Sequence, residues 1–171
     1  LEQVTMYTHA PPDYKCPLCA IARDEIEQGP MFAPEDRIYT DEQVYAMISA
    51  HQWPNNPGNV VVVPNDHYEN IYVLPDGVAA RIQAVAKQVA LAMKAAWNCD
   101  GVSTRQHNEP AGNQDTWHYH LHVTPRYTGD DLYKTYVEGK ALMPAGERAS
   151  YAGDLRKALD RLESGAHFPD S

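Results

Sequence analysis

Residues 117–123 read "WHYHLHV", with histidines at 118, 120 and 122. Side chains alternate across an extended strand. Read as a strand, the segment places His118, His120 and His122 on one face and Trp117, Tyr119, Leu121 and Val123 on the other. The second set is apolar and suits a core, so the first set opens toward a site. Same-face neighbours lie about 7 Å apart. That is too far for ring-to-ring hydrogen bonds, but close enough to line one elongated anionic group. Three uses compete: a polar strand face rich in histidine, one metal centre chelated by imidazoles, and nucleophilic catalysis at phosphorus. A lone histidine fits the first use. Three in register beside an apolar face argue against it.

The surrounding chain sets this segment in an α+β pattern. "PLCAIARDEIEQG" (17–29) reads as a short helix stopped by Gly29. "RIYTDEQVYAMIS" (37–49) reads as two strands joined at Asp41-Glu42, and "AHQWPNNPG" (50–58) as a loop. "NVVVVP" (59–64) is β-branched throughout and reads as a buried strand. From Pro75 to Asn98, Val78, Ile82, Val85, Val89 and Met93 recur at helical spacing. "GVSTRQHN" (101–108) reads as a strand, "EPAGNQ" (109–114) as a tight loop and "TWHYHLHVTPRY" (116–127) as the next strand. Leu155, Leu159 and Leu162 mark a last helix over 147–162. Strands flank one long helix without strict alternation, which predicts an antiparallel sheet of about five strands.

Bulk properties narrow the function. The 171 residues suit one domain over 1–171 with a real core. A formal net charge of −9 excludes a nucleic-acid polymer as the natural partner. No apolar run is long enough to span a membrane, and no basic-then-apolar leader is visible. Three cysteines are too few for a disulfide scaffold and point to a reducing, cytoplasmic setting.

"HYHLHVTPR" (118–126) resembles the signature of the histidine triad (HIT) family, in which histidines alternate with apolar residues. "QHNEPAGNQDTW" resembles the loop before that signature, and "NNPGNVVVVPNDH" the family's buried strand and following turn. With "CPLC", the resemblance covers about residues 14–128 and leaves 129–171 as a C-terminal extension with a helix. It implies a HIT-like fold, a homodimer, and a nucleotide substrate attacked at its α-phosphorus by His120 through a nucleotidyl-imidazole intermediate. His122 is then the donor to a non-bridging oxygen, helped by backbone N–H groups near Asp115 to Trp117. Gln106, His107, Asn108, Gln114, Asp115 and Thr116 fall where the family contacts phosphate or leaving group. The amide position aligns best with His107, and Asp115 stands where relatives carry Ser or Thr. His51 falls near the ribose and Trp53 is the base-stacking candidate. Asn59 replaces a fourth family histidine that orients the nucleophile, here His120.

Cys16 and Cys19 form a Cys-x-x-Cys unit. By itself it allows a zinc knuckle, a redox pair, or two buried cysteines at a helix start. A thioredoxin-type pair needs a βαβ context, whereas this one follows a loop. The resemblance to the zinc-bearing HIT branch implies one structural Zn²⁺ per chain, bound by Cys16, Cys19, His67 and His118. The three signature histidines then do three jobs. Alternatives are a nucleotide-binding sensor with little turnover, a sugar-1-phosphate nucleotidyl transferase, and one catalytic zinc on His118, His120 and His122. His9 and His167 are expected to be solvated, and Cys99 buried. Arg126 either meets phosphate or ends its strand.

Overall fold

Val60 to Val63 are buried on both faces, and the fold is arranged around that run. The computed structural model describes residues 7–135 and 138–165. In chain order it contains α1 (Pro17–Ala22), β1 (Arg37–Thr40), β2 (Val44–Ile48), β3 (His51–Gln52), β4 (Val60–Pro64) and α2 (Asp76–Trp97). There follow β5 (Gly101–Arg105), β6 (Leu121–Arg126), α3 (Leu132–Thr135), β7 (Ala141–Leu142) and α4 (Ala145–Glu163). Five strands pair antiparallel in the order β1-β2-β4-β6-β5, so the architecture is α+β as the sequence predicts.

Alternation along the central strands divides the interior in two. Val60 and Val62, with Val44, Ala46, Ile48, Leu121 and Val123, face α2 and α4. Val61 and Val63, with Tyr45 and Met47, face Ile21 of α1 and Phe32. Burial on both sides is why β4 shows no polar alternation. The long helix buries Ile82, Val85, Ala86, Val89, Ala92 and Met93 on one stripe, while Val78 is only partly covered. It stops at Asn98, which takes the left-handed conformation (φ 48°). Ala152, Leu155, Ala158 and Leu159 of α4 complete the same core. Cys99 is buried beneath it.

Four local readings need correction. α1 ends at Ala22, because Asp24 turns left-handed (φ 55°) and the Glu25 N–H bonds back to the Ala20 carbonyl. The 50–58 stretch is not all loop: β3 pairs with β7 from the distant C-terminal segment. β5 stops at Arg105. β6 starts only at Leu121, because His118 N–H closes a turn onto the Thr116 carbonyl. Trp117 therefore leaves the core and sits partly exposed beside His9, with ring centroids 5.9 Å apart. His9 is exposed as expected, with its ring 3.1 Å from a Glu109 carboxylate oxygen. His167 lies outside the described residues.

Gly58 explains how the chain enters β4. Its φ is +97°, and a Cβ there would meet the Trp97 ring at 2.5 Å. Its N–H and that of Asn59 both donate to the Gln52 side-chain oxygen, at 2.9 and 2.7 Å. The Gln52 amide nitrogen donates to the Ser49 and Asn59 carbonyls. One buried glutamine thus clamps β3 to the root of β4. Among the described residues no helix is long and apolar enough to cross a membrane.

Candidate functional site

The N-terminal segment meets the signature through four side chains. Donor atoms of Cys16, Cys19, His67 and His118 all lie within 4.8 Å of one another. His118 Nδ1 is 3.2 Å from Cys16 Sγ and 3.3 Å from Cys19 Sγ, and His67 Nδ1 is 3.3 Å from Cys19 Sγ. A tetrahedron with bonds of about 2.0–2.3 Å has edges of roughly 3.3–3.8 Å, so small adjustments close these donors around one ion. His118 donates from Nε2 to the Pro64 carbonyl at 3.0 Å, which leaves Nδ1 as the donor to a metal. Burial keeps its ring neutral, with a pKa down to about 4. Burial also pushes the Cys19 thiol up to about 12, with Cys16 beside it adding to the effect. Two adjacent thiolates are stable there only with a cation between them. The cluster can coordinate a metal.

The other two histidines are held differently. His120 Nδ1 lies 2.8 Å from the His118 carbonyl. A carbonyl only accepts, so Nδ1 carries the proton and Nε2 keeps its lone pair. His122 Nδ1 lies 3.3 Å from the Asn59 amide nitrogen, whose own oxygen accepts from the Thr124 hydroxyl at 2.8 Å. The amide nitrogen must donate, so His122 Nδ1 accepts and its proton sits on Nε2. The sequence reading put Asn59 against His120; the structure puts it against His122, because β4 pairs Val61 with His122 and Val60 with Val123. The two rings stand edge to face, 5.0 Å between centroids. Burial lowers the pKa of both, and for His122 the neighbouring His120 ring lowers it further. Near neutrality, then, one ring offers a lone pair and its neighbour an N–H.

Both rings open into a cleft of about 320 Å³. One side is apolar: Leu18, Ile21, Phe32, Met47 and Val61. The other is polar: His51, His107, Asp115, Thr116 and Lys140. Trp53 also lines it, though only 3% exposed. Gln106, Asn108 and Gln114 do not line it. Gln106 and Asn108 bond to each other's side chains, and Asn108 also accepts from Ile71 N–H. Gln114 is buried, bridging Glu109 N–H to the Glu69 and Thr116 carbonyls. These amides hold the loop that carries His107. The Trp117 N–H, expected near phosphate, donates to the Tyr14 hydroxyl at 3.2 Å. Arg126 forks onto Asp130 at 2.7 Å and stacks on Tyr133, so it ends its strand and stays clear of the cleft.

A family model described as HIT domain matches residues 32–129. The chain belongs to the HIT family. Among HIT relatives it is 34% identical over 126 residues to an uncharacterized HIT-like protein of Methanocaldococcus jannaschii, covering 73% of this chain and 89% of that one. It is 28% identical over 127 residues to Protein hit of Bacillus subtilis, covering 72% and 81%. In structure it resembles a Zn-bound histidine triad family protein of Mycobacterium smegmatis, with TM-score 0.71, 28% identity, and 88% and 97% of the two chains covered.

Sequence reasoning missed Gln52, Lys140 and a buried pair, Asp36–Arg148. Only the last left a trace. Arg148 falls on the same helical stripe as Ala152, Leu155 and Leu159, where a charge needs a buried partner.

Proposed function

We propose that this protein is a nucleotide hydrolase or nucleotidyl transferase that works at the α-phosphorus with His120 as nucleophile. The observation that carries the reading is the bond from His120 Nδ1 to the His118 carbonyl, which leaves the Nε2 lone pair for the cleft. In the first step an Nε2–P bond forms, the bond from phosphorus to the leaving group breaks, and the leaving group departs with the electron pair. His122 donates from Nε2 to a phosphoryl oxygen as charge builds there. In the second step water or another acceptor attacks phosphorus, the N–P bond breaks and the imidazole is restored. The apolar wall of Leu18, Ile21, Phe32 and Met47 suits a base. The adenosine 5'-monophosphoramidase of Saccharomyces cerevisiae, 25% identical over 114 residues, and the AP-4-A phosphorylase of Mycobacterium tuberculosis, 28% identical over 102, support a nucleotide substrate.

The proposal includes one zinc on Cys16, Cys19, His67 and His118, supported by two sulfur and two nitrogen donors and by the similarity to the zinc-bound mycobacterial protein. A closed set of four ligands supplies structure, not an activated water. A single zinc on the three signature histidines fits poorly, because His118 Nδ1 faces the cysteines while its Nε2 is committed to Pro64.

The test pairs turnover with trapping. The wild-type protein is incubated with adenosine 5'-phosphoramidate and with diadenosine tetraphosphate, quenched, and its peptides are weighed. A nucleotidyl adduct on His120, and loss of turnover with retained nucleotide binding in His120→Ala, are expected. An adduct elsewhere, or wild-type rates in the variant, overturns the assignment.

A further inference from the structure

Lys140 is the only lysine or arginine among the described residues lining the cleft, and it arrives from far outside the signature. β7 sets Leu142 opposite His51 and Ala141 opposite Gln52, so the same register carries Lys140 toward Trp53. The arrangement is anchored at three points. Gln52 clamps β3 to the root of β4. Met143 N–H bonds to the Ala50 carbonyl at 2.9 Å. Arg148, fully buried and paired with Asp36, donates to the Met143 carbonyl at 2.6 Å. The ammonium group then lies 3.5 Å from an Asp115 carboxylate oxygen at the cleft mouth. Both partners are partly solvated, so this pair contributes little to stability, and Lys140 can exchange Asp115 for another anion. Its charge reaches the cleft: it disfavours protonation of His51 and His122.

The rest of the molecule makes this placement consequential. With 14 basic and 23 acidic residues the chain repels polyanions overall, so a polyphosphate needs a local cation. Among the described residues lining the cleft, Lys140 is the lysine or arginine placed to supply one. We propose that Lys140 determines substrate class, selecting nucleotides whose leaving group is itself a phosphate over those whose leaving group is an amine. This deepens the nucleotide-transfer reading and rests on it. When the Nε2–P bond forms and the bridging P–O bond breaks, the electron pair goes to the departing phosphate oxygen. An ammonium group at the cleft mouth stabilises that charge as it develops. An amine leaving group takes a proton from solvent as its P–N bond breaks, departs neutral, and gains nothing from a neighbouring cation. Asp115 tempers the effect by competing for Lys140.

The experiment compares kcat/KM for diadenosine tetraphosphate and adenosine 5'-phosphoramidate in the wild type, Lys140→Met, Lys140→Arg and Asp115→Asn. Lys140→Met is expected to lower kcat/KM on the order of 100-fold for the tetraphosphate, and within about threefold for the phosphoramidate, since only a peripheral charge is lost there. Lys140→Arg should keep the preference, and Asp115→Asn should strengthen it. Unchanged melting temperatures report that folding is intact. Equal losses on both substrates, or no loss on the tetraphosphate, overturn the role of Lys140 and leave the nucleotide-transfer reading standing. A wild type that turns over neither substrate overturns both.

Discussion

The two flanks of the cleft come from opposite ends of the chain and are fastened by unlike means. The N-terminal flank, with Pro17, Leu18 and Ile21, is held to the histidine signature by two thiols and two imidazoles. The C-terminal flank, with Lys140, is held by a guanidinium group buried against Asp36 and against the Pro30 and Met143 carbonyls. The first fastening can take up a metal ion from solution, and with one bound its contribution scales with metal activity. The second is built in. A buried ion pair contributes little net stability, yet removing one partner strands the other charge. The same architectural task is therefore done once by an adjustable fastener and once by a fixed one.

The fixed one should show the larger effect when cut. Arg148→Met leaves the Asp36 carboxylate buried without its cation and frees both the Met143 and Pro30 carbonyls. A loss of about 3–5 kcal/mol is expected, measured as a fall in the urea midpoint. Adding Asp36→Leu should restore part of it. If Arg148→Met unfolds like the wild type, the C-terminal flank is not held this way.

The adjustable fastener should respond to chelation. Cys16→Ser with Cys19→Ser should abolish metal binding and remove about 2.7 kcal/mol of stability relative to wild type at free zinc one hundredfold above Kd. Chelator should lower the melting temperature of the wild type and leave the double variant unchanged. Full metal occupancy in the double variant, read by elemental analysis, would break the comparison from this side.

Between the flanks lies the smallest effect, at a position neither fastener reaches. Asn59→Ala deletes the donor to His122 Nδ1 and should lower kcat about tenfold, or ~1.4 kcal/mol, with KM nearly unchanged. The pH profile sharpens this. Burial first, then the neighbouring His120, His107, Arg105 and Lys140, hold His122 well below its ordinary 6.5. The unfolded chain takes up a proton near 6.5 and the folded one only at lower pH. Stability from this group is thus complete above about pH 6.5 and drains away as pH falls below it. Activity should follow, flat through pH 7 and falling in acid. A kcat limb centred above 6.5 would contradict it.

The unlike fastenings also explain what the sequence disclosed. Cys16, Cys19, His67 and His118 are rare residue types in a patterned spacing, and they meet in space as read. The sheet was legible because Val60 to Val63 and the α2 stripe follow burial periodicity. The extent of β6 was not, since alternation continues through Tyr119 although the ladder begins at Leu121. Asn59 was misassigned because which ring it meets depends on strand register, which one strand does not state. Gln106, Asn108 and Gln114 have the right chemistry for a ligand but spend it on their own loop and on the backbone of Glu69 and Ile71. Lys140 and β7 were invisible: a two-residue strand has no periodicity, and its pairing spans about ninety residues of sequence.

The bond from His120 to the His118 carbonyl has a last consequence, for genetics. Asn59 can be erased by one codon change, and a survey of substitutions would reveal it as the partner of His122. The partner of His120 is main chain, and every residue type presents the same oxygen. No replacement at position 118 deletes it, so substitutions there would report on the Cys/His cluster and the bond to Pro64. Mutational scanning of this protein would therefore assign a helper to one histidine and none to the other, although each ring has a hydrogen-bond partner at its Nδ1.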